Sequence, residues 1–216
     1  MANLEDVKTR VRQILDDAAG TRFTDTLLEN AARQALTRLD EALPLMRSLD
    51  VTRTDSGRDQ ALTGLTGPLF LVKVIKIPDL PESRETEIRY GFTCSLAGDS
   101  AALHFSGPVI PRAGESLRVS YASRNTLAGL DGAEATTVPE TALTALHYAY
   151  ASAACLLRAA SVSEAYGARP GESARLVEQS KVWMETAERD LQNMKNQQEF
   201  AYPAGFALDR WDREAG

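Results

Sequence analysis

The chain has 216 residues, 44% hydrophobic and 25% charged, with a net charge of −6. That length buries roughly 70% of the unfolded surface, so no disulfide or metal is required for folding. One domain, or one with an insertion, is expected. The acidic balance argues against a general nucleic-acid binder, because phosphate contact is carried by clustered Lys and Arg.

The N-terminus, Met1-Ala-Asn-Leu-Glu-Asp6, is acidic and lacks an apolar signal core, so a cytosolic start is expected. Asn3 is a candidate N-cap with Asp6 three residues on, and Leu4, Val7, Val11, Ile14, Leu15 and Ala18 mark one helical face up to Gly20. A second helix begins at Thr24, with Phe23 and Leu28 at hydrophobic-staple positions and Leu28, Ala31, Ala35, Leu39 and Ala42 on its buried face before Pro44. Residues 1–46 therefore read as a helical hairpin.

The period then changes from 3.6 to 2. Leu69 to Ile77 is β-rich between two prolines, Ile88, Tyr90, Phe92 and Cys94 alternate with polar residues, and Ala101, Leu103 and Phe105 form a return strand after Gly98-Asp99. Leu117, Val119 and Tyr121 mark a further strand, and a weaker pair flanks Asp55-Ser56-Gly57. Residues 47–123 are expected to form a small antiparallel sheet, followed by a polar connector over 124–138.

Residues 139–198 predict a second helical hairpin, broken at Tyr166-Gly-Ala-Arg-Pro-Gly171. Leu143, Leu146, Tyr150, Ala153, Leu157 and Ala160 form one seam; Val177, Ser180, Met184, Ala187, Leu191 and Met194 form the other. Proline at position 139 stands near N1 of the third helix. From Thr141 to Leu157 there is no charged residue, which predicts burial on more than one side; the run falls short of the ~20 apolar residues of a membrane span. The fourth helix is charged on its outer face. The fold class is thus α+β: two antiparallel helical hairpins, an inserted antiparallel β domain, and an extended tail over 199–216.

No catalytic pattern emerges. His104 lies on the polar side of a strand and His147 just off the third-helix seam, with no metal-ligand spacing around either. There is no nucleophile elbow and no phosphate-binding glycine motif; the carboxylate pairs Asp16-Asp17 and Asp209/Asp212 sit at a helix end and in the tail. Cys94 and Cys155 are expected as buried reduced thiols. No enzyme activity, cofactor or metal is expected. Lys8, Arg10, Arg12, Arg22, Arg33 and Arg38 raise a helix-turn-helix reading, but Asp25, Glu29, Asp40 and Glu41 interrupt the second helix, and a solvated mixed-charge surface is the expectation. The tail residues Tyr202, Phe206, Leu208 and Trp211 are too aromatic to stay solvated: they fold back on their own domain or, the favoured reading, dock onto another subunit, where aromatic residues are preferred anchors.

Several phrases resemble the head–tail adaptor (connector, head-completion) proteins of tailed bacteriophages. These are Leu4-Glu-Asp-Val-Lys-Thr-Arg-Val-Arg-Gln-Ile-Leu-Asp-Asp17, Arg22-Phe-Thr-Asp25 leading into Ala32-Arg-Gln-Ala-Leu36, Pro111-Arg-Ala-Gly-Glu-Ser-Leu-Arg-Val-Ser-Tyr121, Leu130-Asp-Gly132 and Thr137-Val-Pro-Glu140. The resemblance spans most of residues 3–198 and implies a structural virion protein. It implies a homo-oligomeric ring of roughly twelve copies with closed symmetry, assembled in the host cytoplasm and seated at the head–tail interface. Partners implied are the portal protein, bound through Tyr202, Phe206, Leu208 and Trp211, and the next tail component, whether stopper, terminator or tail tube. Genomic DNA would pass through the lumen without sequence-specific binding, and no membrane is involved. Subunit packing is expected from Leu143, Leu146, Tyr150, Ala153, Leu157, Met184 and Leu191. A DNA-binding head-completion factor and a generic soluble interaction domain are the alternative readings.

Overall fold

The computed structural model describes residues 2–54, 57–65, 68–76, 89–97, 100–164 and 171–201. The fold is α+β. The chain divides into two units, one made of the residues up to Leu43 and those from Asn125 onward, the other of Pro44–Arg124.

In the helical unit, α1 (Leu4–Ile14) starts with a complete capping box. Asn3 Oδ1 accepts the Asp6 N–H at 2.9 Å, and Asp6 Oδ2 accepts the Asn3 N–H at 3.1 Å. The helix stops at Ile14, short of the expected Gly20. Asp16 takes a left-handed conformation (φ 50°), which lets its N–H reach Gln13 O and the Asp17 N–H reach Arg12 O, a Schellman closure. The Asp17 carboxylate then folds the loop: it accepts the N–H groups of Thr21 (3.0 Å), Arg22 (3.1 Å) and Phe23 (2.9 Å). Helix α2 (Asp25–Ala42) follows, capped by the Thr24 hydroxyl at the Leu27 N–H, with Phe23 and Leu28 both fully buried at the staple positions.

The connector is more than a polar link. Leu127, Leu130 and Val138 are buried in the helical core, and Asn125 Nδ2 donates to Asp40 Oδ1 (2.8 Å) and Leu43 O (3.0 Å). Thr136 Oγ1 accepts the Ala128 N–H and donates to Ala2 O, while the Leu4 N–H donates to Ala128 O. These bonds close a loop over the start of α1. Pro139 caps a single 3₁₀ turn, Glu140–Ala142, rather than standing at N1, and α3 (Leu143–Glu164) and α4 (Glu172–Ala201) follow.

Every residue of α3 from Ala149 to Cys155 is buried, as the uncharged run predicts. The stripe facing α4 differs from the expected seam. Ser152 Oγ meets Ser180 Oγ at 2.8 Å, and Ser173 Oγ donates to Ala159 O, so Ser152 and Ala159 face α4. Tyr150 lies within electrostatic reach of Glu29, Arg12 and Glu5, towards α1 and α2, and Ala160 is exposed. A helix buried all round carries two apolar seams, and spacing alone does not tell which partner each one meets.

The other unit holds two three-stranded antiparallel sheets where one sheet was expected. Strands β1 (Leu45–Thr52), β6 (Ser116–Ser123) and β3 (Pro68–Lys76) form the first in that order; β2 (Asp59–Thr63), β5 (Ser100–Phe105) and β4 (Phe92–Ala97) form the second. The strands flanking Asp55-Ser56-Gly57 do not pair: β1 pairs with β6 and β2 with β5. Between them the fully buried Arg53 donates to the carbonyls of Gly57 and Asp59 and to Gln60 Oε1, and its guanidinium lies 5.2 Å from the Phe105 ring centre. That turns the chain as a corner between sheets. Leu62, Leu103, Phe105, Leu117, Val119 and Tyr121 share the core with Tyr90, which meets Phe105 edge-on and donates to Glu115 Oε2.

Candidate interaction surfaces

The basic residues of α1 and α2 are held by partners within the chain, most of them in ion pairs. Lys8, expected on a solvated surface, is only 5% exposed; its Nζ lies 3.0 Å from Glu5 and 3.2 Å from Glu29. Burial alone would lower its pKa, but the bonds to Glu5 and Glu29 outweigh that and raise it. Arg12 reaches Asp25 (2.9 Å) and Phe23 O (3.1 Å). Arg33 grips Asp131 with two nitrogens, Arg38 pairs with Glu41, and Arg10 donates to Gln13 Oε1. Arg22 stacks 5.5 Å from the Phe23 ring centre. This arrangement makes a poor phosphate-reading face, since each guanidinium or ammonium would have to exchange an internal partner for phosphate.

Among the residues expected to pack subunits together, Leu146, Tyr150, Ala153 and Leu191 are buried in the core of their own chain, while Leu143, Leu157 and Met184 are half-buried at its margin. The fully buried side chains hold α3 inside its unit and present no surface to a neighbouring copy. The exposed surface of α4 is the charged side: Arg175, Glu178, Lys181, Glu185, Glu188 and Arg189, with Val182 exposed at 60%.

Along the C-terminal half of α4 runs an open groove of about 580 Å³, shared with α2 and α3. Its lining includes the apolar Ala42, Ala149, Met184 and Leu191. Charges of both signs line it, among them Arg38, Glu41, Glu188, Arg189 and Lys195.

The titratable groups offer little chemistry. His104 Nδ1 lies 2.8 Å from Asp59 Oδ1 with both side chains exposed. Burial, then the Arg10 charge, lowers the His147 pKa. Burial pushes the Cys155 thiol up to about 11, which keeps it protonated and inert. Cys94 is exposed, contrary to expectation, although it stands opposite the buried Leu103; it lies on the edge strand β4, where cover is incomplete. Among the described residues no group of three His, Cys, Asp or Glu side chains is placed to hold a metal, and no helix is long and apolar enough to cross a membrane. The tail anchors Tyr202, Phe206, Leu208 and Trp211 and the pair Asp209/Asp212 lie outside the described residues.

No protein-family model and no curated protein matches the chain. Among solved structures it is similar to a chain of the neck of an empty gene transfer agent (GTA) particle computed with C6 symmetry, at 14% identity and a TM-score of 0.32 over 82% of this chain and 87% of that one. A chain of the virion of a native GTA particle gives 14% and 0.30 over 81% and 86%. A chain of the neck of a native GTA particle computed with C12 symmetry gives 14% and 0.29 over 81% and 89%. At such scores the likeness is too loose to carry an argument about what this chain does.

Proposed function

We propose that the protein is a structural head–tail adaptor, copies of which close into a ring between the portal and the next tail component. The observation that supports this best is the element order. Two helical segments close one unit around α3 while a β unit is inserted between α2 and the connector. It is the order expected from the adaptor-like phrases in the sequence. The charged outer face of α4 suits lateral contacts between copies, where charges of both signs fix register and exclude wrong partners.

Attachment is assigned to Tyr202, Phe206, Leu208 and Trp211, each contributing on the order of 1.5–3 kcal/mol on burial before ordering costs. The net charge of −6 per chain, repeated around a channel, would repel phosphates and let DNA pass without sticking. The test mixes the full chain, and a chain stopped after Gln198, with the cognate portal ring and follows co-sedimentation. The full chain is expected to sediment with the ring and the shortened chain to stay behind with its helicity intact. Equal attachment of both, or of neither, would reject this assignment.

A further inference from the structure

The sequence holds one Asp-Gly step, Asp131-Gly132, and no Asn-Gly step. The fold calls for it there. The Ala133 N–H donates to Leu130 O at 2.9 Å, and between them Asp131 (φ 51°) and Gly132 (φ 79°) both take positive φ, the type I′ pattern that favours Asp-Gly. This turn belongs to the loop over the start of α1, where Ala128 O accepts the Leu4 N–H. The same dipeptide is the one most prone to rearrange, because glycine carries no side chain to keep its nitrogen away from the neighbouring carboxyl carbon. Among the described residues the Gly132 N–H has no acceptor, and the space beside Gly132 is open. The carboxyl carbon is restrained by Arg33 on α2. Its Nε lies 3.0 and 3.1 Å from the two Asp131 oxygens and its Nη2 2.7 Å from Oδ1, while Asn30 Oδ1 accepts from Nη1 at 2.8 Å.

We infer that Asp131-Gly132 is the chain's site of spontaneous isoaspartate formation and that Arg33 guards it. In that reaction the Gly132 nitrogen attacks Asp131 Cγ. The new N–C bond closes a five-membered imide, and the carboxyl hydroxyl leaves with the amide proton as water. Water then adds at the Asp131 main-chain carbonyl and breaks its bond to Gly132, so the chain runs on through Cγ; no reagent other than water takes part. The guanidinium fork opposes the first step in two ways. It ties both oxygens to α2, so Cγ swings onto the Gly132 nitrogen only by giving up those hydrogen bonds. The hydrogen bonds from Arg33, and then its charge, also hold the Asp131 pKa below the ordinary value, and an ionised carboxylate has no hydroxyl to release. The product lengthens the main chain by one carbon between the ends of the turn and so disrupts the loop that supports α1. The inference is independent of the adaptor reading, since it concerns chemistry within a single copy.

Ageing the full chain and its Arg33→Gln variant in neutral buffer tests this. Isoaspartate at Asp131 is quantified by electron-transfer fragmentation of the tryptic peptide, and protection of the Ala133 amide is followed by hydrogen exchange. Arg33 lies exposed on α2, so the substitution leaves the core intact, with helicity checked by circular dichroism. Arg33→Gln is expected to form isoaspartate about two- to fivefold faster than the native chain, the span an exposed ion pair is worth, with Ala133 protection unchanged. Arg33→Lys, which keeps the charge but not the fork, should fall between the two. Equal rates in the native and Arg33→Gln chains would overturn the inference. So would a faster rate that appears only together with lost Ala133 protection, which would assign the restraint to the turn itself, or a native rate equal to that of the chain unfolded in urea.

Discussion

Replacing Asp17 by alanine should destabilise the helical unit more than any other single change in the loop between α1 and α2. Its carboxylate is 2% exposed and accepts the N–H groups of Thr21, Arg22 and Phe23 at 2.9 to 3.1 Å, with Arg12 Nη1 3.6 Å away. Bonds to a charged acceptor are each worth ~1.5–3 kcal/mol, and they do not add fully. Thr21 and Arg22 are exposed and would regain water, whereas the Phe23 N–H is buried and would stay unpaired. A loss of about 2–4 kcal/mol follows for Asp17→Ala, and about 1–2 kcal/mol for Asp17→Asn, which keeps one acceptor. Urea unfolding followed by tryptophan emission reads the helical unit through Trp183, which packs against its core. Burial would raise the Asp17 pKa, but the bonds from Phe23, Arg22 and Thr21 outweigh it and the net shift is downward. The stabilisation is therefore complete above the ordinary aspartate range, near ~4, and is lost as pH falls through the lower folded value. Asp17→Asn should flatten that acid limb. A loss below ~0.5 kcal/mol for Asp17→Ala, within the range of a surface substitution, would refute the assignment of the loop to this carboxylate.

The Ser152–Ser180 pair sits buried between α3 and α4 at 2.8 Å. Either single change to alanine should cost ~1–3 kcal/mol by orphaning the other hydroxyl, while the double change should cost less than the sum; additive losses in a double-mutant cycle would exclude the bond. The buried Tyr150 hydroxyl finds no hydrogen-bond partner among the described residues, so Tyr150→Phe should leave stability unchanged or raise it by up to ~1 kcal/mol, and a loss above ~1 kcal/mol in urea unfolding would show a partner. His147 has its pKa lowered by burial and by Arg10, so the unfolded chain takes up protons first and stability falls as pH drops below ~6.5. His147→Gln should remove that part of the decline in thermal melts taken from pH 7 to 5, and an unchanged slope would place the sensitivity elsewhere.

Local chemistry was legible in the sequence wherever a few neighbouring residues decide it. The Asn3–Asp6 spacing fixed the start of α1 and the Thr24 cap that of α2, because capping needs only a side chain and the next turn's N–H groups. The end of α1 was hidden: Leu15 and Ala18 continue the apolar period, and the stop depends on Asp16 adopting a left-handed conformation more usual for glycine. Alternation revealed the strands and, for β4 and β5, the pairing as a strand and its return, but not the partners of β1. The pairing of β1 with β6 joins Leu45 to Ser123, and nothing in either strand names the other. Nothing in the sequence singled out the buried Arg53, since two of its acceptors are backbone carbonyls without a sequence signature. For the interaction surface, composition marked α4 as the polar helix and α3 as the buried one. The groove arises from the meeting of three helices at Ala149, which no single helix pattern encodes.

The central claim is a closed ring seated on a portal, and imaging the full chain reconstituted with its portal at side-chain resolution tests it most directly. The account predicts roughly twelve copies in closed cyclic symmetry, with Tyr202, Phe206, Leu208 and Trp211 of each copy seated in the portal and the charged face of α4 towards a neighbouring copy. Single copies, open filaments, or a ring whose tails make no contact with the portal would contradict it.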